Sequence, residues 1–411
     1  MEFGPLIKYY RTQRGITQKE LAAGICSVPH LSKIENNSKD ANEETISLLL
    51  KRLAVDYNDI EEKEEQIRNL LKKLESSINF YLREEVQETY QELKELEHII
   101  PYSNHMYLYE LYKYRTLLFI GKWQEAEKQK DLLSKQKKNF SQHENYLFRY
   151  YNAVSLIIKG QFQMADEIFD VLYLENNSES TNGEFLYHWA FVKGSLDQSG
   201  YAIHYGRLAL QIFMNQHNFY RILHTLMLLG INYTHSTIYE EALVCFQHLI
   251  RNAELLKEEK MLAQIYHNMG YLQNRMNNGK EALGYYEKSL ALQPKKSHHY
   301  LVTLYSIAEI HYLLDSREKA KECFQKVVTL SKELGEKKCG ILANFYLSNM
   351  ETPDKSIKFL ESKVIPYFES SNENRNDLAR YYRMLAEYYS EKSNYPEAVK
   401  YYTKMNGGGK I

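Results

Sequence analysis

The sequence predicts an all-α protein in which a small N-terminal helical domain precedes a solenoid of stacked helix pairs. Small and large apolar residues recur in the same order along residues 105–405, and the clearest alanines, at 242, 282 and 320, are 40 and 38 residues apart. Helix pairs repeated in this way cannot bury their apolar faces alone and must stack on neighbours. Only 7 of the 411 residues are proline, which suits a chain made of helices.

The first domain, predicted over residues 1–57, contains short helices with clear start signals. Residues 5–14 predict the first helix, and residues 17–20 (Thr-Gln-Lys-Glu) have the capping-box pattern that starts a second one. Ser27 has the side chain of a helix N-cap and predicts a third helix. A fourth helix is predicted over residues 45–53.

A tight turn at Gly24 joins the second and third of these helices, as in a helix-turn-helix. Residues 17–22 (Thr-Gln-Lys-Glu-Leu-Ala) and 31–36 (Leu-Ser-Lys-Ile-Glu-Asn) closely resemble the Cro/XRE-type helix-turn-helix family. The resemblance implies that the domain binds double-stranded promoter DNA. Local charge agrees, because residues 5–39 carry two Glu against six basic residues, which are Lys8, Arg11, Arg14, Lys19, Lys33 and Lys39.

The N-terminal part of the second helix of such a motif reads base edges in the major groove. The residues that we predict there are Val28, Pro29, His30 and Lys33. Lys33 is the strongest candidate for a guanine contact. The residues that we predict to hold phosphates are Arg11, Arg14, Gln18 and Asn36. The alternative is that the cations are solvated surface charges. Glu20 and Glu35 are expected to cap helices or to pair internally.

Residues 58–104 are predicted to form a charged helical connector that closes at Pro101. Its apolar residues recur at helical spacing. They are Ile67, Leu70, Leu71, Leu74, Ile78, Leu82, Val86, Tyr90 and Leu93. One interpretation is a solvated charged face over a packed apolar face. The other is a helical bundle that forms a dimer or docks another protein.

Residues 261–294 are the clearest copy of the repeat, with two amphipathic helices joined by a turn at residues 277–279 (Asn-Asn-Gly). Gly270 and Ala282 are small where the helices must touch, and Tyr286 is the large residue that fills the space between them. The pattern resembles the tetratricopeptide (TPR) repeat, although the early Trp is missing and the spacing exceeds the usual ~34 residues. The resemblance implies a right-handed TPR-like α-solenoid.

In a TPR solenoid the first helix of each pair lines a groove, and the resemblance therefore implies a set of groove-facing residues. They are His224, Met227, Ile231, His235, Gln264, His267, Asn268, Tyr271, Asn274, Arg275, Val302, Tyr305, Glu309 and Tyr312. Amide side chains suit an extended peptide, because each can bond a backbone N–H and C=O together. Arg275 could hold a carboxylate, and Met227 and the tyrosines offer side-chain pockets. The alternative is that these are ordinary wet helix residues.

Composition excludes several other classes of protein. The net charge is −1, so no global field draws the protein to nucleic acid or membrane. The four Cys lack paired-ligand spacing, which favours a reducing cytosol. We expect no signal peptide and no membrane-spanning segment, because the sequence shows neither pattern, and we therefore expect a cytoplasmic protein. We expect no metal site at the paired histidines 298 and 299, no phosphate loop at residues 407–410, no cofactor and no catalytic residues.

A helix-turn-helix followed by a TPR array resembles the RRNPP family of Gram-positive quorum-sensing regulators, and the resemblance covers the whole chain. It implies a cytoplasmic protein that binds a short signalling oligopeptide and then activates transcription, often of secreted-protease genes. We expect such a protein to associate with itself as a dimer or tetramer.

Two alternatives to this function stay open. Proteins of the Rap branch of the same family bind a sporulation response regulator and promote its dephosphorylation. Here the docking surface for such a partner would lie at residues 66–91, where a Gln could orient a water on the aspartyl phosphate. The other alternative is a DNA-binding TPR scaffold without a small ligand.

Overall fold

All regular structure that the computed structural model describes is helical, with no strand in that part of the chain. The described residues are 3–36, 42–55, 57–175, 182–370 and 375–406. Lys39 and the residues 407–410, both considered above, lie outside them. The chain divides into two compact units, Met1–Asn232 and Tyr233–Ile411, which we call the first and the second unit. None of the described helices is both long and apolar enough to cross a membrane.

The N-terminal helices of the first unit form the predicted helix-turn-helix, which we call the head. They are α1 (Phe3–Gln13), α2 (Gln18–Ala22), α3 (Val28–Glu35) and α4 (Glu43–Arg52). Both halves of the capping box between Thr17 and Glu20 are formed, and the Ser27 hydroxyl accepts from the backbone N–H of His30. Gly24 adopts the left-handed conformation that the tight turn needs (φ +72°).

The head has a small hydrophobic core of its own. Its buried residues are Leu6, Ile7, Leu21, Ala22, Leu31, Ile34, Leu49, Leu50 and Leu53. The core includes Leu6 and Ile7 of α1 and Leu31 and Ile34 of α3, which the helical pattern predicts to face inward. Tyr10 of α1, also predicted to face inward, is only partly buried against this core. Both α1 and α2 pack against α3 and α4. The face of α3 that carries Leu31 and Ile34 is therefore held in the core, and the other face of the helix points outward.

The connector forms the predicted helical pair, α5 (Tyr57–Asn79) and α6 (Arg83–Glu95). Its predicted apolar residues are buried, except for Leu82, and they belong to one continuous core that extends as far as Leu228. The connector helices therefore pack as part of the helical array. The division into residues 1–57, 58–104 and 105–405 remains a prediction.

The rest of the first unit continues as antiparallel helix pairs, in which α7 packs on α8, α9 on α10 and α11 on α12. These helices, with the one that follows them, are α7 (Met106–Phe119), α8 (Trp123–Gln136), α9 (Gln142–Ile158), α10 (Phe162–Leu174), α11 (Gly183–Ser195), α12 (Ser199–Asn215) and α13 (Phe219–His235). The last three residues of α13 belong to the second unit.

The second unit repeats the arrangement, with α15 on α16, α17 on α18 and α22 on α23. Its helices are α14 (Tyr239–Leu256), α15 (Glu259–Arg275), α16 (Gly279–Ala291), α17 (His298–Leu313), α18 (Arg317–Leu334), α19 (Lys337–Glu351), α20 (Pro353–Phe359), α21 (Ile365–Ser370), α22 (Arg375–Glu391) and α23 (Tyr395–Asn406). A π-helical turn at Leu360–Val364 joins α20 to α21. The partner of α19 is therefore an interrupted helix.

The turn inside a helix pair is built in the same way from pair to pair. One residue is left-handed, and the N–H after it donates to the carbonyl five residues earlier, for example from Asn278 to Gln273 at 2.9 Å. The left-handed residues are Tyr81, Gly121, Gly160, Asp197, Thr237, Asn277, Asp315 and Ser393. Because Tyr81 joins α5 to α6, the connector pair has the geometry of a repeat.

Buried charges tie the connector to the later helices of the first unit. Glu184 on α11 accepts from Arg115 on α7 (2.7 Å) and from Arg221 on α13. Arg221 also donates to the carbonyls of Ile78 and Asn79 at the end of α5 (3.3 and 3.0 Å). Burial alone would raise the pKa of Glu184, but the two guanidinium groups outweigh it and lower the pKa to about 2.

The predicted contact of small and large residues within a pair is confirmed at Gly270. A Cβ at this position would lie 2.8 Å from Cδ1 of Tyr286. Tyr286 is only 1% exposed and so has no room to retreat. Ala282 is fully buried beside this contact. The approach of α15 and α16 therefore depends on the missing side chain of Gly270.

Replacing Gly270 by Ala should destabilise the protein. Overpacking costs about 1–3 kcal/mol, which exceeds the gain in helix propensity of about 1 kcal/mol. Gly284 on α16 is the matched control, because its Cβ would meet nothing within 4 Å. Gly284→Ala should stabilise by about 0.5–1 kcal/mol. The free energy of unfolding of both variants is measured by thermal and urea unfolding followed by circular dichroism. Equal effects of the same sign would contradict this account of the packing.

Candidate functional site

The outward face of α3 carries the residues that were predicted to read bases. Val28, Pro29 and Lys33 are exposed, and His30 is half-buried. The Ser27 cap and the buried Leu31 fix the start of the helix. The four side chains therefore lie at or near the surface of the head, at the N-terminal part of α3.

Two of the predicted phosphate-binding residues point inward instead. Arg11 donates through Nε and Nη2 to the two carboxylate oxygens of Glu35 (2.6 and 3.1 Å) and through Nη1 to the Ile16 carbonyl (3.0 Å). Gln18 donates through Nε2 to the same carboxylate at 2.7 Å. The Glu35 side chain is completely buried. Arg11 and Gln18 thus brace α3 against α1 and α2, and the expected internal pairing of Glu35 is observed.

The other two phosphate candidates are exposed. Asn36 donates to the Ser32 carbonyl (2.9 Å) and accepts from the Lys8 ammonium (3.2 Å). Arg14 reaches the Ala54 carbonyl at 3.5 Å, a long contact that a phosphate could replace. Lys8 is therefore a surface cation beside Asn36 at the end of α3. Lys8 contributes to the local positive charge of residues 5–39, but the sequence does not predict it as a phosphate contact.

Among the predicted groove residues of the first unit, His224 is covered by the connector turn. The Tyr81 ring lies edge-on to the His224 ring, with centroids 4.8 Å apart. Burial, followed by the charges of Arg221 and Arg83, lowers the pKa of His224 to about 4. Met227 and Ile231 are half-buried on the same helix. His224 is therefore a packing residue in this structure.

The first helices of successive pairs are neighbours in the second unit, since α15 contacts α17 and α17 contacts α19. We call their shared surface, with α22 and with His235 at the end of α13, the first-helix face. The rings of His235 and Tyr271 are 6.0 Å apart on it. The exposed predicted residues are His235, Gln264 and Arg275, and the half-buried ones are His267, Asn268, Tyr271, Asn274, Val302, Tyr305, Glu309 and Tyr312.

His267 joins α15 to α17 through a hydrogen bond. The Thr303 hydroxyl donates to the His299 carbonyl (3.0 Å), so it accepts from Nδ1–H of His267 (2.9 Å). Nε2 of the ring is then the acceptor. Burial, and secondarily His299, lowers the pKa of His267 to about 4. The ring is neutral at neutral pH and acts as a fixed polar bridge.

A cluster of polar and aromatic residues links α17, α19 and α22. Tyr346 donates to Glu309 at 2.6 Å, and its pKa is raised by burial and by that carboxylate. Arg380 lies 3.7 Å from Glu309, and its Nη2 donates to the Tyr346 hydroxyl at 3.4 Å. Asn349 donates to the Tyr312 hydroxyl at 2.7 Å. The Arg380 side chain is 56% exposed and presents a cation on the first-helix face.

Tyr346, Asn349 and Arg380 were not identified from the sequence. The predicted groove residues end at Tyr312, and in the structure the helix that pairs with α19 is interrupted at residues 360–364. The spacing from one copy to the next is therefore irregular in this region. A register taken backward from the last copy would have placed Arg380 on a first helix.

The comparisons with known proteins agree with this architecture. Residues 7–60 match the family described as Helix-turn-helix, and residues 261–333 match the family described as Tetratricopeptide repeat. The chain is 25% identical over 398 residues to Transcriptional activator NprA of Geobacillus stearothermophilus, covering 93% of this chain and 97% of that protein. It is also 25% identical over 240 residues to Regulatory protein RapF of Bacillus subtilis (strain 168), covering 54% and 58%.

Two solved structures of NprR have the same fold. The apo form of the quorum sensor NprR from B. thuringiensis has a TM-score of 0.71 at 24% identity, covering 84% of this chain and 99% of that chain. NprR in complex with its cognate peptide NprX has a TM-score of 0.67 at 24% identity, covering 83% and 98%. With the two family matches, these likenesses confirm the all-α fold class, a helix-turn-helix followed by a TPR-like solenoid, and the resemblance to RRNPP-type regulators.

The low pKa of His267 makes folding sensitive to mild acid. The pKa of a histidine in the unfolded chain is about 6.5, so between pH 6.5 and 4 the unfolded state binds a proton at this ring and the folded state does not. The free energy of unfolding therefore falls as pH drops from 6.5 towards 4. The loss from His267 alone should be about 2 kcal/mol at pH 5. His267→Gln keeps a donor for Thr303 and should reduce the difference in unfolding free energy between pH 7 and pH 5 by about that amount. Urea titrations at both pH values measure it, and an unchanged difference would refute the assignment.

Proposed function

We propose that this chain, an RRNPP-type regulator by its architecture and relatives, is a cytoplasmic quorum-sensing transcription regulator. It binds promoter DNA through α3 and a short signalling oligopeptide on the first-helix face, and it activates genes such as those of secreted proteases. It works as a dimer or tetramer and is not itself an enzyme. The observation that carries the proposal is that one chain has both an exposed start of α3 in its head and a polar first-helix face in its second unit.

The DNA half of the proposal rests on how α3 is held. The buried Glu35 carboxylate binds both Arg11 and Gln18, so α3 has a fixed orientation relative to α1 and α2. Val28 and Lys33 are exposed on this rigid helix. Such preorganisation favours base reading, because ordering a mobile helix on binding costs conformational entropy and weakens the affinity. Lys8, Arg14 and Asn36 supply the phosphate contacts that set the register.

The peptide half rests on the chemistry of the first-helix face. Asn268 and Asn274 on α15 offer amides to a peptide backbone, and Arg275 and Arg380 offer cations to carboxylates. The tyrosines of α17 and α19 supply rigid aromatic walls. NprR, which is similar over most of this chain, has been solved with its cognate peptide NprX, and this likeness supports a peptide as the ligand of the first-helix face.

Peptide occupancy acts on the head through neighbouring helix pairs. Within the second unit, α14 contacts α15 and α16 contacts α17, and a small rotation in each repeat would add up along such a stack. Within the first unit, α4 contacts α5, and the rings of Tyr9 and Tyr102 lie 5.4 Å apart. A displacement of the connector helices would therefore be transmitted to α1 through these contacts. In a dimer this would alter the spacing of two α3 helices, which must match half-sites about 34 Å apart.

A second candidate function is the dephosphorylation of a sporulation response regulator, as expected for the Rap branch. Two observations favour it: the match to Regulatory protein RapF, and the exposure of Gln66, Gln87 and Gln91 on the connector helices. An exposed amide there could orient a water for attack on an aspartyl phosphate. This activity would reside outside the head.

The proposed function is tested by measuring DNA affinity with and without peptides. Full-length protein should select a specific duplex from a random library, and one member of a synthetic oligopeptide library should change that affinity by about 5- to 150-fold. Arg275→Gln should weaken the peptide response about ten-fold or more. Arg251→Gln, at another exposed arginine on α14, should leave it unchanged. Affinity that is independent of every peptide would reject the proposal.

The second candidate predicts faster loss of phosphate from a phosphorylated response regulator when this chain is added. Deleting residues 1–55 should preserve that acceleration, because the connector and repeats share a core separate from that of the head. Replacing Gln66, Gln87 and Gln91 together by Ala should lower the rate about 100-fold or more. Phosphate release from the purified complex measures it, and a rate equal to that of the response regulator alone would exclude this function.

A further inference from the structure

The start of α3 is apolar as well as exposed. Val28 is the first residue of the helix and is 38% exposed, and the exposed Pro29 follows it. Among the described residues of the head, the large apolar side chains with this exposure are Val28 and Leu48. The residues at this place in a helix-turn-helix face the floor of the major groove.

Neither side chain can read the polar pattern of a base pair. Valine has no donor or acceptor, and proline lacks even its backbone N–H. The Ser27 hydroxyl already accepts from the His30 N–H. At Val28 and Pro29 the first turn of α3 therefore offers the groove an apolar surface.

One apolar group is present on the major-groove edge of DNA, the C5-methyl of thymine. An apolar side chain placed against any other base edge would desolvate a donor or acceptor without replacing its hydrogen bond. We infer that Val28, supported by Pro29, reads the methyl group of a thymine in each half-site. This inference rests on the proposed function and adds to it the class of base that the head selects.

The rigidity of the head makes such a contact discriminating. Leu31 and Ile34 anchor the inner side of α3, and Arg11 and Gln18 hold its far end through Glu35. The position of the Val28 Cβ is fixed by that of α3, so the helix cannot shift away from an unsuitable base without moving this network. A cytosine or a demethylated thymine at the same place leaves Val28 against empty or polar space, and binding becomes weaker.

The experiment uses full-length protein and the duplex that it selects from a random library. Each thymine is replaced in turn by deoxyuridine, which removes only the methyl group and keeps the base pair. We expect one position in each half-site at which the substitution weakens binding about four-fold, as for the burial of one methyl group. Fluorescence anisotropy of the labelled duplexes measures the ratio of affinities.

Variants of the head identify the side chain that is responsible. Val28→Ala should bind the thymine and deoxyuridine duplexes with nearly equal affinity, whereas Val28→Thr, which keeps one methyl, should retain part of the difference. Leu48→Ala is the matched control, because it removes the other exposed apolar side chain of the head, and it should preserve the full four-fold ratio.

The outcomes separate this inference from the proposed function. A selected duplex that tolerates deoxyuridine at every position, or a ratio that Val28→Ala leaves intact, overturns the methyl contact while DNA binding stands. Failure to select any duplex overturns both. Thermal unfolding of Val28→Ala should match that of the parent, since the side chain is at the surface.

Discussion

Each helix pair of this chain has an apolar face that only a neighbouring pair can cover, and this constraint shapes the molecule. It requires small residues where helices cross, as at Gly270, and it extends the stack until every such face has a partner. The connector follows the same rule. Its apolar stripe is buried in the core of the first repeats, and its turn at Tyr81 has the left-handed geometry of a repeat turn. The head is thus attached to the array through a helix pair of the array itself.

Buried charged groups fix the relative positions of helices that apolar packing alone, which is non-directional, would leave undetermined. Glu184 joins Arg115 and Arg221, and Arg221 binds carbonyls at the end of α5, 143 residues away in sequence. Such clusters contribute little net stability, because desolvation opposes the Coulomb attraction, but removing one partner leaves a buried charge that costs about 3–5 kcal/mol. The cluster therefore selects one register for α5 against α7, α11 and α13, where hydrophobic contact alone would tolerate several.

Much of the fold could be predicted, because local signals specify it. The capping box, the turn at Gly24 and the periodic small residues each act over a few residues. The site was harder, because its roles depend on distant partners. Arg11 and Gln18 have the right chemistry for phosphate, yet a buried Glu35 takes their donors. His224 lies on a first helix, yet Tyr81 covers it. The sequence predicts that Glu35 caps a helix or pairs internally, but it does not indicate which donors Glu35 takes, and nothing in the local sequence indicates the contact of Tyr81 with His224.

The paired groups of the first-helix face bear on what a ligand must offer. Glu309 already accepts from Tyr346 and lies beside Arg380. A ligand that inserts an apolar group here would separate these partners and leave a charge without compensation, whereas one that brings its own carboxylate or ammonium replaces one pairing by another. A ligand shifts a conformational equilibrium only by its difference in affinity between states. If the proposed peptide binds here, the contacts exchanged at this cluster would determine which peptides act as signals and which merely bind.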